Sequence, residues 1–339
     1  MIYEVRYARL DEIGLVEDFI RKYWTPNHIL GRNRGILDLQ HKFEDYYSII
    51  IGYNTETKEI DGLFCIIPLA RYDAKLEKNG NFWSALLKIR DDVVNPEIKH
   101  LFYDFMLFIC DQPNFSSFGA ISLSKDAQNA MNLLFNEFGI MNQYYFANNK
   151  LDEYHICNLP IVNTHLKLDT TELKQVDFNE IAHSQLDSVY YPQKSIEFLR
   201  ERYLNHPYYK YRFLGAYTEG ELVCVWVFKK IEVQGSSCLR IVDCYGDLLR
   251  VGHVGNALQQ LLEEEKSEYI DFMNYGVEDS VFSEMGFEKL DLTGEETIVP
   301  NYFEPFEKRN VPIYFALITD QKYVIFKADG DQDRPSIII

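Results

Sequence analysis

A chain of 339 residues, 47 % hydrophobic and 25 % charged, has the composition of an ordinary globular protein of about two domains. Its formal net charge of −18 disfavours a broad surface for nucleic acid or anionic membrane, and no apolar run of about 18 residues is present to cross a bilayer. The N-terminus lacks a basic stretch followed by an apolar one, so no signal peptide is expected and the cytoplasm is the expected location.

In chain order, residues 2–10 read as a strand and residues 11–24 as a helix with Asp11 as N-cap. A further helix is expected over residues 35–43. Apolar strands follow at residues 46–54, 60–71 and 82–90, the first two joined through the polar turn TETKE. Then come a helix at 98–111, a strand at 118–124, a helix at 126–139 and a strand at 143–149. The order recurs in the second half: a helix at 194–205, strands at 211–220, 221–233 and 238–247, a helix at 254–266, a strand at 269–276, a short helix at 280–286 and a strand at 287–293. A last strand is expected at 312–319, ahead of a tail at 322–335.

This recurrence is an internal repeat. Its clearest trace is FNEFGI (residues 135–140) against FSEMGF (residues 282–287), with Gly139 and Gly286 where a helix C-cap needs a positive φ. The expected fold is α+β, with two fused domains at residues 1–160 and 161–339. The boundary should fall in the weakly periodic stretch 155–190.

The six cysteines sit mostly in apolar runs without a C-x-x-C pair, and the eight histidines make no H-x-x-x-H pattern. Buried free thiols and no metal are expected. The 24 tyrosines and 23 phenylalanines predict a large aromatic core, some of which could line a ligand cleft. Asp329, Asp331 and Asp333 alternate around Gly330 in the tail, but no Glu completes a calcium loop there. The tail reads as an ordered plug or a segment that closes over a site.

One stretch carries chemistry. Gly252, His253, Val254, Gly255, Asn256 and Ala257 follow an apolar strand and open an amphipathic helix. Such a stretch is either a plain turn or a phosphate cradle, because the orphan amides and the positive end of the helix dipole attract an anion. Three antiparallel strands, this helix, then strand, helix and strand resemble the GNAT acyltransferase superfamily, here as a tandem pair. In that family a loop of the form Gln/Arg-x-x-Gly-x-Gly/Ala holds the pyrophosphate of acyl-CoA. Gly255 and Ala257 fit it; Gly252 stands at the first position, with Arg250 two residues early. The first half has VVNPEIKH at the same place, with no glycine. The resemblance therefore implies that the second domain binds acyl-CoA and that the first is a degenerate copy, kept for the acceptor and for packing. It also implies a tyrosine acid where this chain has Phe135 and Phe282. A thiolate can leave unaided, since a thiol has a pKa of about 8–9.

Acyl transfer to an amine needs a base, oxyanion donors and alignment. Asp243 and Tyr245 lie near the end of the strand before the cradle, where the family holds the thioester. Asp243 is either the base or a structural or substrate-orienting carboxylate. Asn274 and Tyr275 end the next strand, beside the cofactor in the family's fold. Asn274 is a pantetheine contact or a turn residue. Residues 21–35 gather Trp24, Asn27, His28, Arg32 and Arg34, an aromatic plate, amide, titratable base and cations. His28 is either a general base or a hydrogen-bonded structural residue, and the two arginines either hold a diphosphate or are solvated loop charges.

This segment, the first helix and the tail resemble GNAT-type proteins of bacterial O-antigen and capsule synthesis. The resemblance implies a sugar N-acyltransferase of lipopolysaccharide biosynthesis. The donor would be acetyl-CoA or 3-hydroxybutanoyl-CoA, and the acceptor a dTDP-linked amino-dideoxy sugar. The other expected partner is a second copy in a homodimer, with no nucleic acid and no membrane. Two alternatives stand beside it: a Fem-type aminoacyl-tRNA-dependent transferase, which the negative charge opposes, and a non-catalytic GNAT-like binding protein.

Overall fold

The computed structural model describes residues 2–131, 134–160, 167–331 and 333, so tail residues 332, 334 and 335 lie outside the described set. The chain divides into two compact units. The first comprises Met1–Glu137, Ala316–Asp320 and Gly330–Ile339; the second comprises Phe138–Phe315 and Gln321–Asp329.

In the first unit the chain runs β1 (Tyr3–Arg9), α1 (Ile13–Phe19), α2 (Ile29–Arg32), α3 (Arg34–His41), β2 (Tyr46–Asn54), β3 (Ile60–Pro68), β4 (Asn81–Ile89), α4 (Leu101–Cys110), β5 (Ser117–Ile121) and α5 (Lys125–Met131). Strands β1 to β4 pair antiparallel in order, and β5 adds to β4 in parallel. Helix α1 forms because Ile13, Val16, Phe19 and the following Ile20 recur at helical spacing; they pack on Ile49, Ile51 and Leu63 of the sheet. Its entry is held by Glu12 rather than Asp11. The Glu12 carboxylate accepts the backbone N–H of Arg9 at 2.9 Å and two bonds from Arg6 at 2.7 and 2.8 Å.

The chain leaves the first unit within β6 (Glu137–Ile140). The helix expected over 126–139 thus stops early, and Gly139 is a strand residue rather than a C-cap. A side chain there would meet the ring of Phe315 at 2.5 Å, so the glycine serves close packing. Gly286, by contrast, does cap a helix, at φ 104°.

The second unit continues with β7 (Asn142–Ala147), β8 (Glu172–Gln175), α6 (Phe178–His183), α7 (Ile196–Leu199), β9 (Arg212–Thr218), β10 (Glu221–Val233), β11 (Ser236–Gly246), α8 (Gly255–Glu265), β12 (Tyr269–Tyr275), α9 (Asp279–Met285) and β13 (Glu288–Lys289). Then follow the small hairpin β14 (Tyr302–Phe303) with β15 (Phe306–Glu307), β16 (Tyr314–Ile318), which crosses back to the first unit, and β17 (Ile325–Phe326). The sheet order is β13-β7-β12-β11-β10-β9-β8, with β17 also on β12. Strands β9 and β10 meet at Glu219 and Gly220, both at positive φ as a tight hairpin requires. The aromatic core is real: Trp226 is fully buried and packs edge-on against Phe272 and Phe287.

The division falls at Glu137/Phe138, not between residues 160 and 161. The reason is β7. Its edge groups pair antiparallel with β12 from Asn142 opposite Asn274 to Ala147 opposite Tyr269, and Gln143 donates to Asp271 at 2.9 Å. Among the described residues no helix is long and apolar enough to cross a membrane.

Strands β11 and β12 pair in parallel over only three residues, Leu239–Ile241 opposite Ile270–Phe272. At the middle pair Arg240 grips Asp271 in a fully buried ion pair, Nη2 to Oδ2 at 2.6 Å, and also donates to the carbonyls of Pro300 and Asn301. Removing one partner of such a pair leaves a charge without water or counterion. Arg240→Met should lower stability by about 3–5 kcal/mol, read from the urea midpoint with the m-value unchanged.

Candidate functional site

Past Ile241 and Phe272 the parallel pair parts. The backbone of β12 turns to β17 instead: Asn274 pairs with Phe326, and Tyr275 with Ile325. On the other side, the Ala328 N–H donates to the carbonyl of Val242 at 2.8 Å. The opening beside which the thioester was expected therefore holds residues of the chain itself. Asn274 is fully buried in this arrangement. Its Oδ1 is 3.4 Å from the Val277 N–H, the position of a turn residue, and Tyr275 packs its ring against Phe315.

An ion cluster holds the segment in place. Lys194, just ahead of α7, points its ammonium at Asp243 of β11 (2.6 Å) and at Asp329 (2.8 Å), and all three side chains are buried. Asp243 also accepts from the Tyr203 hydroxyl and from the Cys244 N–H at 2.8 Å. Asp329 accepts the Phe326 N–H at 2.7 Å, and Arg202 donates to the Ala328 carbonyl at 2.9 Å. Burial pulls the Lys194 ammonium down, but Asp243 and Asp329 outweigh it and hold its pKa above the usual lysine value. Burial, then Asp243, pushes the Tyr203 hydroxyl well above the usual range. A carboxylate with a lysine, a tyrosine and a backbone amide as donors is held as a positioning group. Tyr245 is buried too, its hydroxyl raised by burial and then by Asp187.

The expected cradle is also taken. Gly252 donates its N–H to Thr171 Oγ1 at 2.9 Å, and His253 donates to Thr170 Oγ1 at 2.9 Å. Asn256 and Ala257, in the first turn of α8, donate to the two carboxylate oxygens of Asp169 at 3.0 and 2.9 Å. The Asn256 side chain donates to Asp169 Oδ1 and to the Lys167 carbonyl. Val254 is buried and its N–H turns to the Met285 carbonyl; His253 Nδ1 meets the Glu284 carbonyl at 3.0 Å. Gly252 is glycine because a side chain would lie 2.1 Å from Thr170 Oγ1. The anion at this helix N-terminus is Asp169, so the amides expected to hold the cofactor donate within the chain.

In the first unit the segment 21–35 braces itself. Arg34 forms a bidentate pair with Glu17, both bonds 2.7 Å, so its fork is not open to a diphosphate. Arg32 is exposed, with its Nε donating to the Pro26 carbonyl at 2.7 Å. Trp24 is half-exposed, 6.5 Å edge-on from His28, and Asn27 is exposed. His28 is buried and caps α2: its Nδ1 accepts the Leu30 N–H at 3.3 Å. An imidazole that accepts at Nδ1 carries its proton on Nε2 and is a donor there, which favours the structural role over the base.

Sequence reasoning missed Lys194, Tyr203, Asp169, Thr170 and Thr171. Lys194 is a lone cation ahead of a short helix, and D-T-T looks like any polar linker.

No protein family and no curated protein matches the chain by sequence. Solved structures do match its fold. A GCN5-related N-acetyltransferase from Anabaena variabilis aligns with TM-score 0.55 at 9 % identity, over 93 % of this chain and 72 % of that one. A conserved protein from Enterococcus faecalis, described as a probable N-acyltransferase, aligns with TM-score 0.54 at 9 % identity, over 94 % and 72 %. The chain thus has the GNAT fold across nearly its whole length.

Two outcomes follow from this geometry. The raised pKa of Lys194 stabilises the fold below the ordinary lysine value, and that contribution is lost as pH rises through the higher folded value. Lys194→Met should therefore cost about 3–5 kcal/mol near neutral pH and narrow its deficit at strongly alkaline pH, in paired urea titrations. His28→Asn, which keeps a capping acceptor, should leave any pH–rate profile unchanged, whereas His28→Ala should lose about 1 kcal/mol of stability.

Proposed function

We propose that the protein is an N-acyltransferase that takes its acyl group from acyl-CoA and transfers it by direct attack of an amine on the thioester. One observation carries this: the GNAT fold, with a parallel strand pair that parts in each unit. In the first unit β4 and β5 pair only at Asn81–Trp83 opposite Ser117–Gly119, and β4 then runs on to Ile89. A parted pair offers backbone donors and acceptors of the kind an amide-bearing pantetheine arm meets; in the first unit Gly330 lies beside the Ser84 carbonyl just past the paired stretch.

The donor is assigned to the first unit because the helix start of the second already holds the Asp169 carboxylate. The turn before α4 has no glycine cradle; Asn95 caps it by accepting the Glu97 N–H at 3.0 Å. Side-chain charge must then hold the phosphates. Lys99, exposed just ahead of α4, is the group in position.

The narrower acceptor reading is the amine of a dTDP-linked amino-dideoxy sugar, with acetyl or 3-hydroxybutanoyl as the acyl group. It is supported by the resemblance of residues 21–35 and by the exposure of Trp24, Asn27 and Arg32 on that segment. The thiolate leaves without a tyrosine acid: Phe135, at that position in the first unit, is buried and packs edge-on against Phe118 with ring centroids 5.9 Å apart.

Calorimetry with CoA and a thiol-release assay over acyl-CoAs and dTDP-amino sugars test the proposal. Binding is expected, with Lys99→Glu weakening it about tenfold, equivalent to ~1.4 kcal/mol. No binding at millimolar CoA would sink the acyl-CoA reading.

A further inference from the structure

Two separate observations concern the second unit. The helix N-terminus of α8 is saturated by Asp169, Thr170 and Thr171, and the parted strands β11 and β12 are filled by residues 324–328. The two segments lie more than a hundred and fifty positions apart in the chain; one meets the first turn of α8 and the other the parted ends of β11 and β12. Under the acyl-CoA reading, the carboxylate takes the place of a diphosphate at the helix start and the β17 backbone that of an extended amide arm on β12. We propose that these segments are a built-in ligand of the second unit, so that its donor groove is permanently self-occupied and takes no acyl-CoA.

The bonds support occupation over passing contact. Four backbone amides of residues 252–257 donate to the Asp169–Thr171 segment at 2.9 to 3.0 Å. The contact is reciprocal: the N–H groups of Thr170 and Thr171 return to the His253 carbonyl at 2.9 and 3.3 Å. A carboxylate at the positive end of an eleven-residue helix also gains from the dipole. The β17 segment is anchored by the buried contacts of Lys194 with Asp243 and Asp329, which a displacing ligand would have to break.

The surroundings oppose an outside anion. A cavity of about 550 Å³ opens beside the saturated helix end. Asp169, Glu172 and Glu219 line it, and no Lys or Arg is among its described lining residues. A free diphosphate approaching there meets carboxylates first. The identity of the displaced ligand rests on the acyl-CoA reading; the occupation of the groove does not.

Hydrogen exchange of the full chain tests this, with CoA and inorganic pyrophosphate as probes at millimolar concentration. The peptide over residues 252–262 should be protected without ligand and unchanged by either probe. Added protection there, or faster exchange over residues 167–171, overturns the proposal. Asp169→Asn keeps the shape but replaces one acceptor with a donor facing a backbone amide. It should lower the melting temperature by about 2–4 °C and leave CoA affinity unchanged. A variant that binds CoA tenfold tighter would show that Asp169 competes with an outside ligand, and would overturn permanent occupation. If no thiol is released from any acyl-CoA while residues 252–262 stay protected and unresponsive, the activity fails and the self-occupied groove stands.

Discussion

A parallel pair of strands that stops pairing leaves two rows of backbone groups that must be satisfied somewhere. In the second unit this constraint sits at the end of the Arg240–Asp271 register, where β11 and β12 part. Everything around the candidate site answers to it. Strand β17 supplies backbone partners to β12, and the Ala328 amide supplies one to β11. That segment then carries Asp329 inward, and a buried carboxylate needs a cation. Lys194 supplies it, and its helix start is pinned to β11 through Asp243.

The cluster has one ammonium between two carboxylates, with further donors from Tyr203, Cys244 and Phe326. Burial alone would neutralise such groups. The donors of Lys194, Tyr203 and Cys244 fix Asp243 as a strut. A free base would need a lone pair facing a reactant.

The helix start shows the same logic in a second form. Orphan amides attract an anion, and the chain provides one of its own. Gly252 is needed whether the visitor is a phosphate or Thr170, since either brings oxygen close to the Cα. The glycine pattern is therefore a reliable sign of close approach at a helix N-terminus. It is silent about who approaches.

Much of the fold was legible in the residues. The antiparallel strands, the amphipathic face of α8 and the repeated order of elements follow from local periodicity and turn chemistry, which act over a few residues. The α+β class and the GNAT resemblance rest on that order. Local signals failed where long-range pairing decided. Residues 137–140 look like a helix end but pair as a strand, and residues 142–147 belong to the sheet of the second unit because β12 offers them an edge. The site was the least legible part. Asp169 lies 87 positions from Asn256, and Lys194 lies 49 from Asp243. The sequence by itself determined that a helix N-terminus with close-approach glycine and a strand carrying an inward carboxylate would exist. Only the tertiary structure decided that both would be met by the chain's own side chains, because a charge finds its partner through space and leaves no periodicity along the chain.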